Sequence, residues 1–488
     1  MTNHHRLKQR LRAKAAFGVE NLDVGAPVVL HVPYTYFPDP PGGTEVYVRG
    51  LARELLPRGF RSIVAAPARS GSVYMQDGIP VHRFATDPRP RLDLAYNAPD
   101  EIATAGFART VSEVAPAIVH LHAYTSAVSG RLVNIAHDAG AKVVLTYHTP
   151  TVSCTRGDMM LFGQTPCDGV VINRRCAQCT LQSNGVPEIF AQVATRIPDF
   201  LMAGLSKLTA LPRPLSRLRV PGLLLAEHDR MRRLLSDVDH VVAVCDWVQD
   251  VLLRNGVPSE KLTLSRQGIP VVPGLSKRAR KRAHDILAIA YFGRTDPSKG
   301  PDLLAQALAL VPDAAVRLDI FAVPQSKVDR HFDRLRAFAS KDKRIQIKSA
   351  IAPDAVQDAM RCYDLVAVPS RWLETGPLVV LEAFQAGVPV LGANRGGISE
   401  LVRDGVDGVL VAPGEPKAWA AAIAALCADP AIIEMLRKGI SPPRSIADAA
   451  EDMAQIYARL SAAPGPAVPI SPLARQHPIT PPMRGPDD

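Results

Sequence analysis

The sequence predicts an α/β protein of two doubly wound domains facing across a cleft, and three observations carry that reading. From about residue 26, short apolar runs alternate with amphipathic stretches. The same alternation restarts at Ile286. Between the two series lies "PVVPGLSKRARKRAHD" (Pro270–Asp285), rich in Pro, Gly and basic residues, as a linker is. Buried strands alternating with helices favour parallel sheets covered on both faces.

In order, "PVVLHVPY" (Pro27–Tyr34) reads as a buried strand, and "FPDPPGGTE" (Phe37–Glu45) as the loop after it. A helical pattern follows from Val46 to Leu56 and stops near Gly59. "RSIVAAP", "AIVHLH" and "AKVVLTYH" repeat the strand signature. "HVVAVCDWV" and "KLTLSRQGIP" close the first domain, 26–270. After a linker at 271–285, "ILAIAYFGR", "VRLDIFAV", "RIQIKSA", "DLVAVPS", "GVPVLGAN" and "DGVLVAP" give a second domain, 286–440. "SIADAAEDMAQIYARL" (Ser445–Leu460) is an amphipathic helix within 441–460. The basic extension 1–25 reads as a solvated end, and the proline-rich 461–488 as a disordered tail. The segment about 151–227 breaks the rhythm and reads as an insertion. In it Leu, Met and Phe interleave with Arg196, Lys207, Arg213, Arg217 and Arg219, a pattern that packs against the first domain or rests on a membrane surface.

The 488 residues carry a net charge of +10, which calls for an anionic partner. Aromatic residues make up only 5% and do not interleave with the basic clusters, which argues against nucleic acid. No apolar run reaches bilayer length, and no apolar stretch follows the basic amino terminus as in a signal peptide. The expected location is the cytoplasm, with the basic terminus able to touch an anionic membrane at its inner face.

The chemistry concentrates in four places. In "RWLETGPLVVLEAFQAGVPV" (Arg371–Val390), Pro377 suits a first helical position and Gly387 the residue past the end, so a helix runs from about Pro377 to Ala386. Thr375, Gly376, Pro377 and Leu378 form its amino-terminal end, an anion site by free N–H groups and helix dipole. Glu374 lies just ahead of it. Glu382 lies inside it, costly unless satisfied, and a diol would satisfy it. Phosphate flanked by hydroxyls describes a nucleotide sugar. In "YFGRTDPSKG" (Tyr291–Gly300), Arg294 and Lys299 sit at a strand's carboxyl end, suited to a diphosphate or to ordinary surface charge. Gly42 and Gly43 in "PPGGTE" allow close backbone approach to a phosphate or acceptor. His148 in "TYHTP" falls where the cleft of the first domain is expected.

These signals in this order resemble glycosyltransferase family 4, the retaining nucleotide-sugar transferases of the GT-B fold with its two Rossmann-like domains, over roughly residues 26–460. Glu374 and Glu382 meet the family's E-x(7)-E pattern, and Arg294 and Lys299 its GR…KG element. "GGTE" and "VVAVCDWVQDVLLRNGVPSEKLTLSRQGIP" are also similar, with Cys245 and Arg266–Gln267 where Ser and Pro–Asn are usual. "ETGPL" stands in place of the commoner "EPFG". The resemblance implies that Glu374 and His148 contact the transferred sugar, that Glu382 holds the ribose, and that Arg294 and Lys299 hold the diphosphate. It implies a UDP- or GDP-sugar donor, a saccharide or lipid-linked acceptor, retained anomeric configuration and no catalytic metal. The readings set against it are a phosphorylase or epimerase of the same fold, and a noncatalytic scaffold that keeps the nucleotide site.

Four cysteines stand apart: Cys154, Cys167, Cys176 and Cys179 form C-x(12)-C-x(8)-C-x(2)-C. Structural zinc is the leading reading; unbound thiols and an iron–sulfur or redox role stand beside it. The stretch holds few apolar residues, so a metal would supply stability that a small core does not.

Overall fold

The computed structural model describes residues 25–39, 42–89, 91–198, 200–201, 204, 219–271, 286–323 and 329–462. The amino-terminal extension, the linker and the proline-rich tail fall outside these residues except at their edges, and so do Lys207, Arg213 and Arg217.

The first sheet is built from β1 (Val28–Val32), β2 (Arg61–Ala68), β3 (Ser72–Gln76), β4 (Ile79–Ala85), β5 (Ile118–Leu121) and β6 (Lys142–Tyr147). After a two-stranded ribbon, β7 (Met160–Leu161) and β8 (Thr165–Pro166), it is completed by β9 (His240–Ala243) and β10 (Leu262–Leu264). Its order is β10-β9-β6-β5-β1-β2-β4-β3, parallel except for the β3–β4 pair. That pair turns through Asp77 (φ 53°) and Gly78 (φ 79°). An Asp-Gly turn with both residues left-handed matches the twist of a tight hairpin.

The second sheet holds β11 (Leu287–Arg294), β12 (Val316–Val323), β13 (Ile345–Lys348), β14 (Leu365–Val368), β15 (Val390–Ala393) and β16 (Gly408–Val411). It is wholly parallel, in the order β13-β12-β11-β14-β15-β16. The strand order reverses between β11 and β14 here, and between β1 and β5 in the first sheet. Ligands of open parallel sheets bind beyond the carboxyl ends of strands at such reversals.

Each strand's alternation feeds two apolar layers. On one face of β1, Val28, Leu30 and Val32 pack with Leu121 and Leu145. On the other, Val29 joins Tyr47, Leu51 and Leu55 of the first helix (Gly43–Leu55). The last helix (Ile446–Ala462) lies on that same face through Ile446, Met453 and Tyr457. Leu378 and Leu381 of the second domain enter the same cluster, so one apolar layer bridges both sheets. Arg58 bonds Glu451 at 3.1 Å, and Ile446 N–H donates to Ile269 O at 2.8 Å. The insertion folds as the β7–β8 ribbon and helices Asn173–Ser183 and Glu188–Ala194, followed by Val220–Asp237. No single helix of the described residues is long and apolar enough to cross a membrane.

Where the last helix begins, backbone meets backbone: a methyl added at Gly268 would lie 2.0 Å from Ser445 O. Neither side has a flexible tip that moves away. Gly268→Ala is expected to destabilise the chain by about 2–4 kcal/mol, read as a lowered midpoint in urea unfolding; an unchanged midpoint would mean the return segment is not docked there.

Candidate functional site

The carboxyl end of β14 runs into the loop that carries Glu374. Pro377, at φ −68° and ψ 114°, caps the helix Leu378–Gln385, and Gly387 at φ +72° follows its end. The helix is therefore one residue shorter at each end than the sequence pattern indicates. Proline has no N–H to lose at that position, so the cap costs nothing.

Glu374 is buried. Its Oε1 accepts from Lys299 Nζ at 2.7 Å and from Ser370 Oγ at 2.6 Å. Lys299 Nζ also stands 4.8 Å above the Trp372 ring. Glu374 O accepts from Trp247 Nε1 of the first domain at 2.8 Å and from Gly397 N at 2.7 Å. A methyl at Gly397 would fall 2.8 Å from that oxygen, so only glycine allows this approach. The Thr375 hydroxyl donates to His148 O at 2.6 Å, again across the domains.

Arg294 ends β11 with its side chain about half exposed, 3.3 Å from Asp296. Facing it is Glu45 of the first helix, buried, its carboxylate accepting from Gly42 N at 2.7 Å. Burial pushes the Glu45 carboxyl above its ordinary range, and backbone N–H groups, Gly42 first, with Arg294 after them, oppose that rise. A methyl on Gly43 would sit 3.6 Å from the Leu378 side chain. The first helix and the Leu378–Gln385 helix thus present their amino-terminal ends to each other, two positive dipole ends beside Arg294 and Lys299.

Glu382 is half-buried. No hydrogen bond or ion pair joins its carboxylate to any described residue, and burial alone pushes its pKa up to about 7. His148 lies fully inside. Its Nδ1 meets Gln267 Nε2 at 2.7 Å and its Nε2 meets His122 Nδ1 at 3.0 Å, while burial lowers its pKa to about 3 and keeps it neutral. Both ring nitrogens are thereby committed to protein partners.

A cavity of about 1440 Å³ opens in the first domain at the carboxyl ends of β1, β2, β4 and β5. Tyr34, Arg69, Arg83, Asp87 and Thr125 are among its walls. None of the glutamates or cations just described lines it. The four cysteines surround one small cavity of about 30 Å³ beside the β7–β8 ribbon. Cys179 Sγ accepts from Arg156 Nη1 at 3.2 Å and Phe162 N at 3.1 Å. Burial raises the Cys154, Cys167 and Cys176 thiols, the last to about 11. The one group of three described residues whose metal-ligating atoms all lie within 4.8 Å of one another is instead His31, His120 and His122. The thiols are drawn around one space but not to that closeness.

Several residues here carry no motif. Glu400 accepts from Asp246 N at 2.7 Å, Trp247 N at 3.0 Å and Arg266 Nη1 at 2.7 Å, tying the second domain to a helix end of the first. Gln267 and His122 bond the His148 ring, and His31 bonds His122. Their one sequence signal is a histidine at or just past the carboxyl end of each of three adjacent strands.

The Glu382 carboxyl has a testable sign. Its ordinary value is 4.5 and its folded value about 7. Between these the folded chain holds the extra proton, so stability falls as pH rises through this window and the full penalty stands above it. Glu382→Gln is expected to match wild type near pH 5 and to exceed it by about 1–3 kcal/mol at pH 8 in the ligand-free protein. Equal stability at both pH values would show that the carboxylate is solvated.

Residues 42–268 match the family described as Glycosyl transferase 4-like domain, and 287–429 the family Glycosyl transferases group 1. The D-inositol 3-phosphate glycosyltransferase of Nocardia farcinica is 32% identical over 233 residues, 45% of this chain and 49% of that protein. The enzyme of the same name from Xylanimonas cellulosilytica is 28% identical over 403 residues, 80% and 84% of the two chains. The chain spans about half the length of the first of these relatives. In fold it is similar to HepE of Anabaena in complex with UDP (TM-score 0.57, 17% identity, 88% of this chain and 99% of that one). It is also similar to sucrose-phosphate synthase of Thermosynechococcus elongatus (TM-score 0.61, 18% identity, 89% and 99%). With two parallel sheets arranged in this way, the chain has the GT-B fold, its residues 42–268 similar to a glycosyltransferase 4-like domain and its residues 287–429 to a group 1 domain.

Proposed function

We propose that the chain is a retaining glycosyltransferase that moves a hexose-type sugar from a UDP- or GDP-sugar to a saccharide or lipid-linked acceptor. The observation that carries this is the Glu382 carboxylate, half-buried and without a partner among the described residues, one turn behind a helix end beside Arg294 and Lys299. A ribose diol supplies the two donors it lacks. The diphosphate then lies between the facing helix ends, reached by N–H groups of Thr375, Gly376 and Leu378, with Pro377 holding the turn and Gly42 and Gly43 closing the other side. Lys299 exchanges part of its contact with Glu374 for the phosphate, which frees Glu374 to meet the transferred sugar. His148 borders that sugar through its backbone and fixes the loop.

Transfer on one face of the sugar fits this set. The acceptor oxygen bonds to the anomeric carbon as the bond to the leaving phosphate breaks, and the departing phosphate takes the acceptor's proton. Arg294, Lys299 and the helix ends stabilise the charge developing on the diphosphate. A double displacement would need a nucleophile on the opposite face, and the sequence offers no convincing candidate for one. The donor base finds support in HepE, solved with UDP. The arginine-bearing cavity of the first domain suits a hydroxylated, anionic acceptor such as the name of the inositol phosphate relatives indicates. Surface polysaccharide or glycolipid synthesis is the setting in which such a transfer is used.

On the insertion, Ile189, Phe190 and Val193 stand 73%, 67% and 56% exposed. Arg174 and Arg196 line a depression beside them, a surface suited to an anionic bilayer that delivers a lipid-linked acceptor. Wild type is expected to co-sediment with phosphatidylglycerol vesicles and Phe190→Glu to bind them several-fold more weakly; no difference removes this contact from the proposal. The cysteine quartet would hold a structural zinc, which supplies folding stability and takes no part in transfer. Metal analysis of the purified chain is expected to find about one zinc per molecule, and a metal-free, fully folded chain would refute it.

Titration calorimetry with UDP, GDP and ADP tests the donor site. One nucleotide is expected to bind, and Glu382→Ala to weaken it by about tenfold or more, since a charged hydrogen bond is worth about 1.5–3 kcal/mol. Binding without catalysis of transfer would favour the scaffold reading. Equal binding by the mutant would remove the ribose from Glu382.

A further inference from the structure

Four buried side chains beside the proposed donor site form one hydrogen-bonded line. Gln267 Nε2 meets His148 Nδ1 at 2.7 Å, His148 Nε2 meets His122 Nδ1 at 3.0 Å, and His122 Nε2 meets His31 Nδ1 at 3.1 Å. His31 Nε2 ends the line on Ser62 Oγ at 3.2 Å. The imidazoles come from β1 and from just beyond the carboxyl ends of β5 and β6, all on the face covered by Tyr47. Burial holds His31 and His148 down to about 3 and His122 well below its ordinary value, so all three are neutral. A neutral imidazole has one N–H and one lone pair. Each link therefore needs a donor facing an acceptor, and one end fixes every tautomer along the line.

With the Gln267 amide nitrogen on His148, the direction is set. His148, His122 and His31 all carry the proton on Nε2, and His31 donates to Ser62. The opposite direction is equally complete: the amide oxygen accepts from His148 Nδ1–H, both other imidazoles carry Nδ1–H, and the Ser62 hydroxyl donates to His31. Mixed arrangements leave two lone pairs or two N–H groups facing each other. The line thus has two ordered states, selected at Gln267.

The other end of that amide faces the Gly376 turn. Gln267 is 8% exposed, and its Oε1 is buried without a hydrogen-bond partner among the described residues. A methyl on Gly376 would lie 3.2 Å from that oxygen. An amide oxygen repels a phosphate placed at the Gly376 turn, whereas the amide NH₂ would donate to it. Gly376 lies in the anion site proposed above, and the inference rests on that reading.

We propose that Gln267 is a positioning residue that reads the donor diphosphate: the bound anion turns its amide round, and the turn reverses the tautomers of His148, His122 and His31 together. Protons balance, since one enters at His148 Nδ1 from solvent as one leaves the Ser62 hydroxyl and each shared proton shifts by one nitrogen. Donor occupancy is thereby felt on β1 and β2, the strands that border the arginine-bearing cavity.

Histidine-selective ¹⁵N NMR of the full chain distinguishes the tautomers by which ring nitrogen is bare. Without ligand, all three histidines are expected as Nε2–H. With saturating UDP or GDP, whichever calorimetry shows to bind, all three are expected as Nδ1–H. Gln267→Glu, whose carboxylate only accepts, is expected to give Nδ1–H at His31 without any ligand. If the nucleotide binds and His31 keeps its tautomer, the proposal fails while the donor reading stands. If no nucleotide binds, the donor reading fails, and the Gln267→Glu spectrum still decides the relay: an unchanged His31 overturns it. Gln267→Met, of similar volume and without polar atoms, is expected to give mixed tautomers at His148. A single Nε2–H state in that variant also overturns the assignment of control to Gln267.

Discussion

The rest of the structure depends on one loop with a buried polar centre, Ser370 to Pro377. It lies where the two domains meet, with Ser370, Leu373, Glu374 and Thr375 buried, and a buried carbonyl or hydroxyl without a partner costs about 1–3 kcal/mol. Its partners come from both sides of the joint. Trp247 Nε1 and Gly397 N share the Glu374 carbonyl, and the Thr375 hydroxyl spans to His148 O. The loop is satisfied only when the first domain, the Glu374 strand end and the glycine pair at Gly396–Gly397 stand together. That requirement fixes how the two sheets face, and Glu400 repeats it at the amino-terminal end of the Asp246–Arg254 helix.

Charge placement follows from the same geometry. Each sheet offers its strand reversal to the other, so the carboxyl ends of β11 and β14 look toward the first helix. Three carboxylates, Glu45, Glu374 and Glu382, and two cations, Arg294 and Lys299, gather around that line. The first two carboxylates are answered within the protein, by Gly42 N and by Lys299 and Ser370. Glu382 is not. A site with one unanswered acceptor behind facing helix ends is complementary to a ligand whose charge sits in the middle and whose hydroxyls sit beyond it.

Much of this was legible from residue patterns because it is local. A run such as Leu287–Arg294 has few ways to be buried other than as a central parallel strand, and the helix ends near Leu378 and Gly387 follow from proline and glycine chemistry. The β3–β4 hairpin escaped because β3 has two exposed residues at its start, Ser72 and Val73, and lacks a clean apolar alternation. Its Asp77–Gly78 turn was the available signal. What no local pattern contains is pairing across long separations. Lys299 meets Glu374 rather than standing free, and Gln267 meets His148 across 119 residues. His148 reads as a sugar contact by position, yet its ring turns inward, because the strand ends of β5 and β6 lie side by side and bring His122 within hydrogen-bond reach. The cysteine spacing brought four thiols around one cavity, whereas the tightest ligand group lies among histidines whose separation in sequence hides it.

Hydrogen–deuterium exchange of the full chain with and without its nucleoside diphosphate tests the central claim most directly. The account predicts slowed exchange in peptides covering 293–300 and 370–387, the two strand ends and the Glu382 helix, with the first turn of the first helix also protected. Protection confined to the cavity walls around Arg69 and Arg83, or none at saturating nucleotide, would contradict it.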